Sequence, residues 1–123
     1  MVYMTDTGYV NTKYFKKLQN LDVYLFESNH DIEMLLHGPY PKWLKDRVMG
    51  PYGHLSNKDS AIYLAKNIGA NTEKIMLMHL SHKNNTEEKA LETISDNTSV
   101  YLLITIFFLF KLLLITMRIF FYK

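Results

Sequence analysis

The sequence predicts an α/β fold. Short apolar runs typical of strands alternate with stretches of helical periodicity, and glycine and proline stand between them. Such alternation predicts a mainly parallel sheet with helices packed against it. A chain of 123 residues is long enough for one domain with a hydrophobic core.

The predicted elements follow each other in a regular order. Three apolar runs are predicted to be strands: Val2–Thr5, Val23–Phe26 and Ile75–Met78. The third is continuous in apolar residues, which predicts a buried strand. The predicted helices are Asn11–Asn20, Asp31–Leu36, Pro41–Met49, Asn57–Ile68 and a last helix that begins at Asn85 or Thr86.

The boundaries of the fourth helix are predicted from its flanking residues. Ser56 precedes it and is expected to act as its N-cap, with Asp59 three residues later as a box-like partner. Gly69 follows its last apolar residue and is expected to end it.

An apolar tail follows the domain. Residues 1–97 are predicted to form a partial domain and residues 98–123 the tail. The tail is long enough to span a bilayer, but Lys111 and Arg118 each oppose insertion by about 2.5–3.5 kcal/mol near a helix centre. A membrane helix, a translation product beyond a frameshift and an ordinary buried element remain as interpretations.

Charge and cysteine content narrow the classes of function. The net charge is +2, too small to indicate nucleic-acid binding by electrostatics alone. The chain has no cysteine, which excludes disulfides and thiolate metal sites and fits a reducing compartment. We therefore expect a cytoplasmic protein, or a membrane-associated one if the tail is genuine.

Three residues at strand or loop ends are candidates for a metal site. Asp6 follows the first predicted strand, His79 follows the third, and His54 precedes the fourth helix. Carboxylate and imidazole are common ligands of divalent metals and common proton-transfer groups. The alternatives are a turn aspartate that accepts backbone N–H bonds, a solvated loop histidine and a core histidine bonded to backbone.

Two further residues are candidates for the lining of the same site. Glu27 comes directly after the second predicted strand, where it could orient a histidine or accept a backbone hydrogen bond. His30 follows in the next turn, as a site residue or a turn former.

Five segments, taken together, resemble one family. They are Met4–Val10, Phe26–Asp31, Gly38–Pro41, Gly53–Asn57 and His79–Ser81 with Asn84–Asn85. In order and spacing they are similar to the C-terminal half of the YycJ/WalJ-type hydrolases of the metallo-β-lactamase fold. The resemblance implies half of an αββα sandwich and a relation to the RNase Z-like phosphodiesterase branch.

The resemblance also implies roles for the candidate residues. Asp6 would bridge two divalent metals, zinc or manganese, and His79 would bind the second metal. His54 would stand beside the scissile phosphate as a proton donor or oxyanion stabiliser. Glu27 and His30 would line the site. The expected substrate is nucleic acid, with DNA suggested.

The chain departs from the family pattern in one main respect. The motif His-x-His-x-Asp-His does not occur among its five histidines. We therefore expect a fragment that binds metal weakly or not at all, and that is inactive unless another chain supplies the missing N-terminal half. A membrane-attached binding protein and a small metal-binding domain built on Asp6, His54 and His79 are the alternatives.

Overall fold

Three parallel strands form the sheet of the computed structural model, which describes residues 1–98. Strand β1 is Val2–Met4, β2 is Val23–Glu27 and β3 is Lys74–Met78. The order is β1-β2-β3, with every pair parallel. The predicted α/β class with a parallel sheet is confirmed.

Helices connect the strands and cover one face of the sheet. Helix α1 is Phe15–Leu18, preceded by a 3-10 helix at Thr12–Tyr14. The others are α2, Ile32–His37; α3, Lys42–Val48; α4, Asn57–Asn67; and α5, Glu87–Asn97. The predicted helix over 11–20 is thus only a 3-10 helix and a single short α-helix. Asn20, near its end, has a φ of 52°, which no α-helix allows.

Side-chain caps define where the helices begin. Ser56 Oγ accepts a hydrogen bond from the backbone N–H of Asp59 at 3.1 Å, as predicted for α4. Thr86, one of the two candidates, caps α5 by accepting from Lys89 N at 3.2 Å. Helix α4 ends at Asn67, two residues before Gly69.

The core lies between the sheet and the helices. Tyr24 and Phe26 of β2 are buried, as are Leu64 of α4 and Ile94 of α5. The Tyr24 hydroxyl donates to Leu18 O at 2.5 Å and accepts from Leu21 N at 3.1 Å. These bonds let a buried phenol keep its polar partners.

The opposite face of the sheet is less covered. Tyr3, Leu25 and Met76 are register partners in one row across the three strands. Tyr3 is 63% exposed, while Leu25 and Met76 are half-buried. The prediction that the third strand is buried is wrong in this respect. Only Ile75 of β3 is buried, because within residues 1–98 β3 has a single neighbouring strand.

The prediction of a membrane helix concerns the apolar tail and can be compared only with residues 1–98. Between residues 1 and 98 the helices are too short or too polar to cross a membrane. The predicted membrane helix or frameshift product over 98–123 lies, apart from Thr98, outside the described residues.

Candidate metal centre

The carboxyl ends of the three strands meet at one edge of the sheet and bring four side chains together. Asp6 follows β1, Glu27 ends β2 and His79 follows β3. His54 joins them from the loop between α3 and α4. One ligand atom from each of the four lies within 4.8 Å of the others. This edge is the usual place for a site in an open α/β sheet.

Glu27 is the centre of this group. Its Oε1 lies 2.8 Å from His54 Nδ1 and 2.9 Å from His79 Nδ1. Its Oε2 accepts the backbone N–H groups of Thr7 at 3.0 Å and Leu55 at 3.4 Å. An ionised carboxylate accepts about four hydrogen bonds. Glu27 can therefore be fully buried, at 0% exposure, without losing its partners.

The two imidazoles are oriented by that shared carboxylate. The His54 and His79 rings lie edge to face, with centroids 4.9 Å apart and planes at 77°. Glu27 Oε1 contacts Nδ1 of each ring, and Asp6 Oδ1 lies near the same two nitrogens. Metal-binding histidines commonly donate their other ring N–H to a carboxylate, which fixes the tautomer. Glu27 thus has the position of an orienting residue.

Asp6 lies on the open side of the group. Its carboxylate is 68% exposed, with Oδ1 at 3.5 Å from His79 Nδ1 and 4.0 Å from His54 Nδ1. Asp6 and His79 both have left-handed backbones, with φ of 58° and 59°. Strained conformations of this kind cluster at functional sites. They also favour aspartate and histidine over most non-glycine residues.

His30, predicted to line the site, is not one of the four residues of the group, although Glu27 and His54 lie near enough to influence its pKa. It is buried, and its backbone carbonyl accepts from Asn57 N at 2.8 Å beside the start of α4. Burial lowers the pKa of His30 below its ordinary value, and the nearby Asp59 carboxylate opposes this only in part. The imidazole is therefore held neutral.

Asn29 positions the loop that carries His79, a role that the sequence did not reveal. Its Nδ2 donates to His79 O at 2.8 Å, and its own carbonyl accepts from Ser81 N at 2.8 Å. These bonds join the end of β2 to the end of β3. An asparagine directly after a strand was the available signal, but asparagine is equally common in ordinary turns.

Gly53 allows the loop before His54 to close tightly. A Cβ at this position would collide with the backbone carbonyls of Val48 and Arg47 at the end of α3. His54 N donates to Val48 O at 2.9 Å across the same approach. Glycine at position 53 is thus required by the packing of α3 against the loop, while His54 contributes only its backbone N–H to this contact.

The donor set suits a divalent metal. One exposed carboxylate and two imidazoles oriented by a buried carboxylate are hard and borderline ligands of the kind that Zn²⁺ and Mn²⁺ accept. Among residues 1–98, this is the one cluster of potential metal ligands. The fold and this group define an α/β protein with a candidate metal centre at the carboxyl edge of its sheet.

Known proteins extend this description. Over 89 residues the chain is 46% identical to exodeoxyribonuclease WalJ from two strains of Streptococcus pneumoniae, covering 72% of this chain and 33% of the relative. Over 96 residues it is 40% identical to exodeoxyribonuclease YycJ from Bacillus anthracis, covering 78% and 36%. No family model and no solved structure matches the chain.

The chain is therefore a homologue of the WalJ/YycJ proteins, and the predicted resemblance is confirmed. It spans about a third of the length of these relatives. That coverage agrees with the prediction of a partial domain.

Proposed function

We propose that this chain contributes one part of the metal site of a hydrolase that cleaves phosphodiester bonds of DNA, on a metallo-β-lactamase fold. The observation that supports this most directly is the carboxylate of Glu27 holding His54 and His79 beside Asp6. The relatives are named exodeoxyribonucleases, and we extend that substrate class to the intact site.

Each residue has a separate role in this proposal. Asp6 and His79 would hold divalent metal, with Asp6 on the exposed side of the group as the candidate bridging carboxylate. Bound metal would polarise the phosphodiester and activate water. Zinc and manganese both suit these ligands.

His54 acts on the leaving group. Its Nδ1–H is held by Glu27, so its Nε2 is available to donate a proton to the departing oxygen or to stabilise charge on the phosphate. The carboxylate of Glu27 stabilises the imidazolium form that such a donor needs. Glu27 acts through the two histidines and is a positioning residue.

The site is incomplete in this chain. With His54 assigned to the leaving group and Glu27 to positioning, Asp6 and His79 are the two metal ligands that remain of the four candidates. Two ligands seldom hold a zinc ion against water. The remaining ligands would come from a polypeptide corresponding to the other two thirds of the relatives. We therefore expect weak metal binding and no nuclease activity from the chain alone.

Complementation tests this proposal. The part of Streptococcus pneumoniae WalJ that the chain does not match is co-expressed with this chain, and release of nucleotides from duplex DNA is measured in Mn²⁺. We expect activity from the pair, and a loss of at least about a hundredfold in Asp6→Ala or His79→Ala. His37→Ala, at an exposed histidine outside the group, is the control. A soluble, stably associated pair without activity would contradict the proposal.

A further inference from the structure

A cavity opens directly beside the metal centre. Its volume is about 410 Å³, within the range of about 300–1,000 Å³ typical of small-molecule sites. His54 and His79 form the wall that it shares with the metal centre. A group bound in this cavity would therefore lie next to the reacting phosphate.

The cavity has walls of two kinds. Tyr40, Leu44 and Val48 line it with one aromatic and two aliphatic side chains, from α3 and the turn before it. The polar lining consists of Asn29, Ser81, His82 and Asn84. A nucleobase needs this combination, because its faces are flat and apolar while its edges carry hydrogen-bond donors and acceptors.

Tyr40 is suited to stack with a base. It stands between Pro39 and Pro41, whose rings fix φ and reduce the freedom of the turn. Lys83 Nζ lies 5.9 Å from the centroid of the Tyr40 ring. The ammonium thus lies over one face of the ring, so a base would stack on the other face, with a positive charge near its phosphate.

Asn84 supplies a polar group that the chain itself does not satisfy. Its side chain is buried, and Oδ1 has no hydrogen-bond partner. Its Nδ2 makes only a 3.5 Å contact with Ser81 Oγ. Buried amides in native proteins are rarely left in this state. Asn84 also lines the cavity, so the edge of a base bound there would lie next to an amide with unused hydrogen-bonding capacity.

Gly38 makes room for Asn84. A Cβ at Gly38 would lie 2.7 Å from Asn84 Oδ1 and 2.6 Å from Met34 O. Any other residue would push the amide out of position. The Gly38–Pro41 segment thus shapes two parts of the cavity, the stacking ring and the space for the amide.

We propose that this cavity is a nucleobase subsite, in which Tyr40 stacks on the base adjoining the scissile phosphodiester and Asn84 bonds to its edge. The proposal rests on the proposed function, because it takes the substrate to be DNA. It adds a recognition element that the metal group does not contain.

Nucleotide binding in the absence of metal tests the subsite. The chain is titrated with deoxyadenosine 5′-monophosphate in metal-free buffer, and amide chemical shifts are recorded by NMR. We expect the Ser81 and Asn84 resonances to move, with much weaker effects from 2-deoxyribose 5-phosphate, which lacks the base. Tyr40→Ala should weaken binding about tenfold, whereas Tyr40→Phe retains it.

Tyr52→Ala is the matched control, since Tyr52 is 97% exposed and does not line the cavity. Equal binding by wild-type and a folded Tyr40→Ala variant would overturn the subsite, as would equal binding of the sugar phosphate. The absence of metal from the titration separates the two proposals. Nucleotide binding without activity in the complementation assay would overturn the metal role alone.

Discussion

The side-chain amides of Asn57 and Asn85 bond to each other in both directions. Asn57 Nδ2 donates to Asn85 Oδ1 at 2.9 Å, and Asn85 Nδ2 donates to Asn57 Oδ1 at 2.8 Å. Asn57 begins α4 just after His54, and Asn85 lies in the loop that follows His79. The pair therefore joins the two segments that carry the histidines.

Removing one of these amides should destabilise the chain. Asn57→Ala loses the pair and leaves the buried Ser28 hydroxyl without the acceptor that it meets at 2.7 Å. Asn85 keeps its bonds to Ser28 O, Asn29 O and Thr86 N. We expect a loss of about 2–3 kcal/mol in the free energy of unfolding, measured by urea denaturation. Asn85→Ala should have a similar effect.

The double variant checks whether the effect arises from the pair. In Asn57→Ala/Asn85→Ala no unpaired amide remains, so the loss should be smaller than the sum of the single losses by about 1–2 kcal/mol. Strict additivity would show that the two amides act independently.

Glu27→Gln should weaken both stability and metal affinity. The glutamine side chain keeps the shape of glutamate but has only one oxygen. Either the two imidazoles at Oε1 or the two backbone N–H groups at Oε2 therefore lose their acceptor. We expect a loss of about 1.5–3 kcal/mol in unfolding free energy. Mn²⁺ affinity, followed by paramagnetic broadening of the histidine signals, should fall about tenfold or more.

Glu33→Gln is the control for that change. Glu33 is an exposed acid of α2 that pairs with His37 at 3.5 Å. We expect no measurable change in stability or metal binding. An equal effect of both substitutions would point to net charge as the cause.

Asp6→Gly should separate the ligand role of Asp6 from its backbone strain. Glycine adopts the φ of 58° without a Cβ clash. We expect Asp6→Gly to be more stable than Asp6→Ala by about 1 kcal/mol, because alanine keeps the left-handed penalty. Both variants should lose metal binding. A ranking with Asp6→Ala the more stable would contradict the strain assigned to this position.

Burial of His30 should make stability depend on pH. Its pKa is lowered in the folded chain, so between the folded value and the ordinary value of about 6.5 the unfolded chain binds more protons. The contribution of neutral His30 is complete above pH 6.5 and is lost as pH falls toward the folded pKa. His30→Phe should flatten the decline in unfolding free energy from pH 7 to pH 5.

An exposed histidine provides the control for this substitution. His37→Phe removes an exposed imidazole and should leave the slope close to that of the wild type. If His37→Phe flattens the curve as much as His30→Phe, burial of His30 is not the cause.

Local signals predicted most of the fold. Alternation of apolar runs gave the three strands, and Ser56 marked the start of α4 because its hydroxyl caps the backbone as that sequence pattern predicts. The position of Asp6 and His79 after predicted strands made them candidates for a metal site, and the structure brings them to one edge of the sheet. The partial burial of β3 was not predictable, since the burial of a strand depends on which elements pack beside it.

The sequence indicated the contact of Glu27 with a histidine only as one of two alternatives, the other being a hydrogen bond from the backbone. Whether a strand-end glutamate orients an imidazole or bonds to backbone depends on contacts 20 to 52 residues away, and Glu27 does both. The Asn57–Asn85 pair is likewise a contact across 28 residues. No local pattern specifies which of several asparagines will be buried.

The long reach of the Glu27 contacts determines when the site can form. Its partners lie 20, 27 and 52 residues away along the chain, so none of these bonds can exist in a locally ordered segment. Contacts of high sequence separation form only once the loops between them have closed. The histidine resonances should therefore appear at their native positions in step with global folding, which makes them a reporter of whether the whole parallel sheet has assembled.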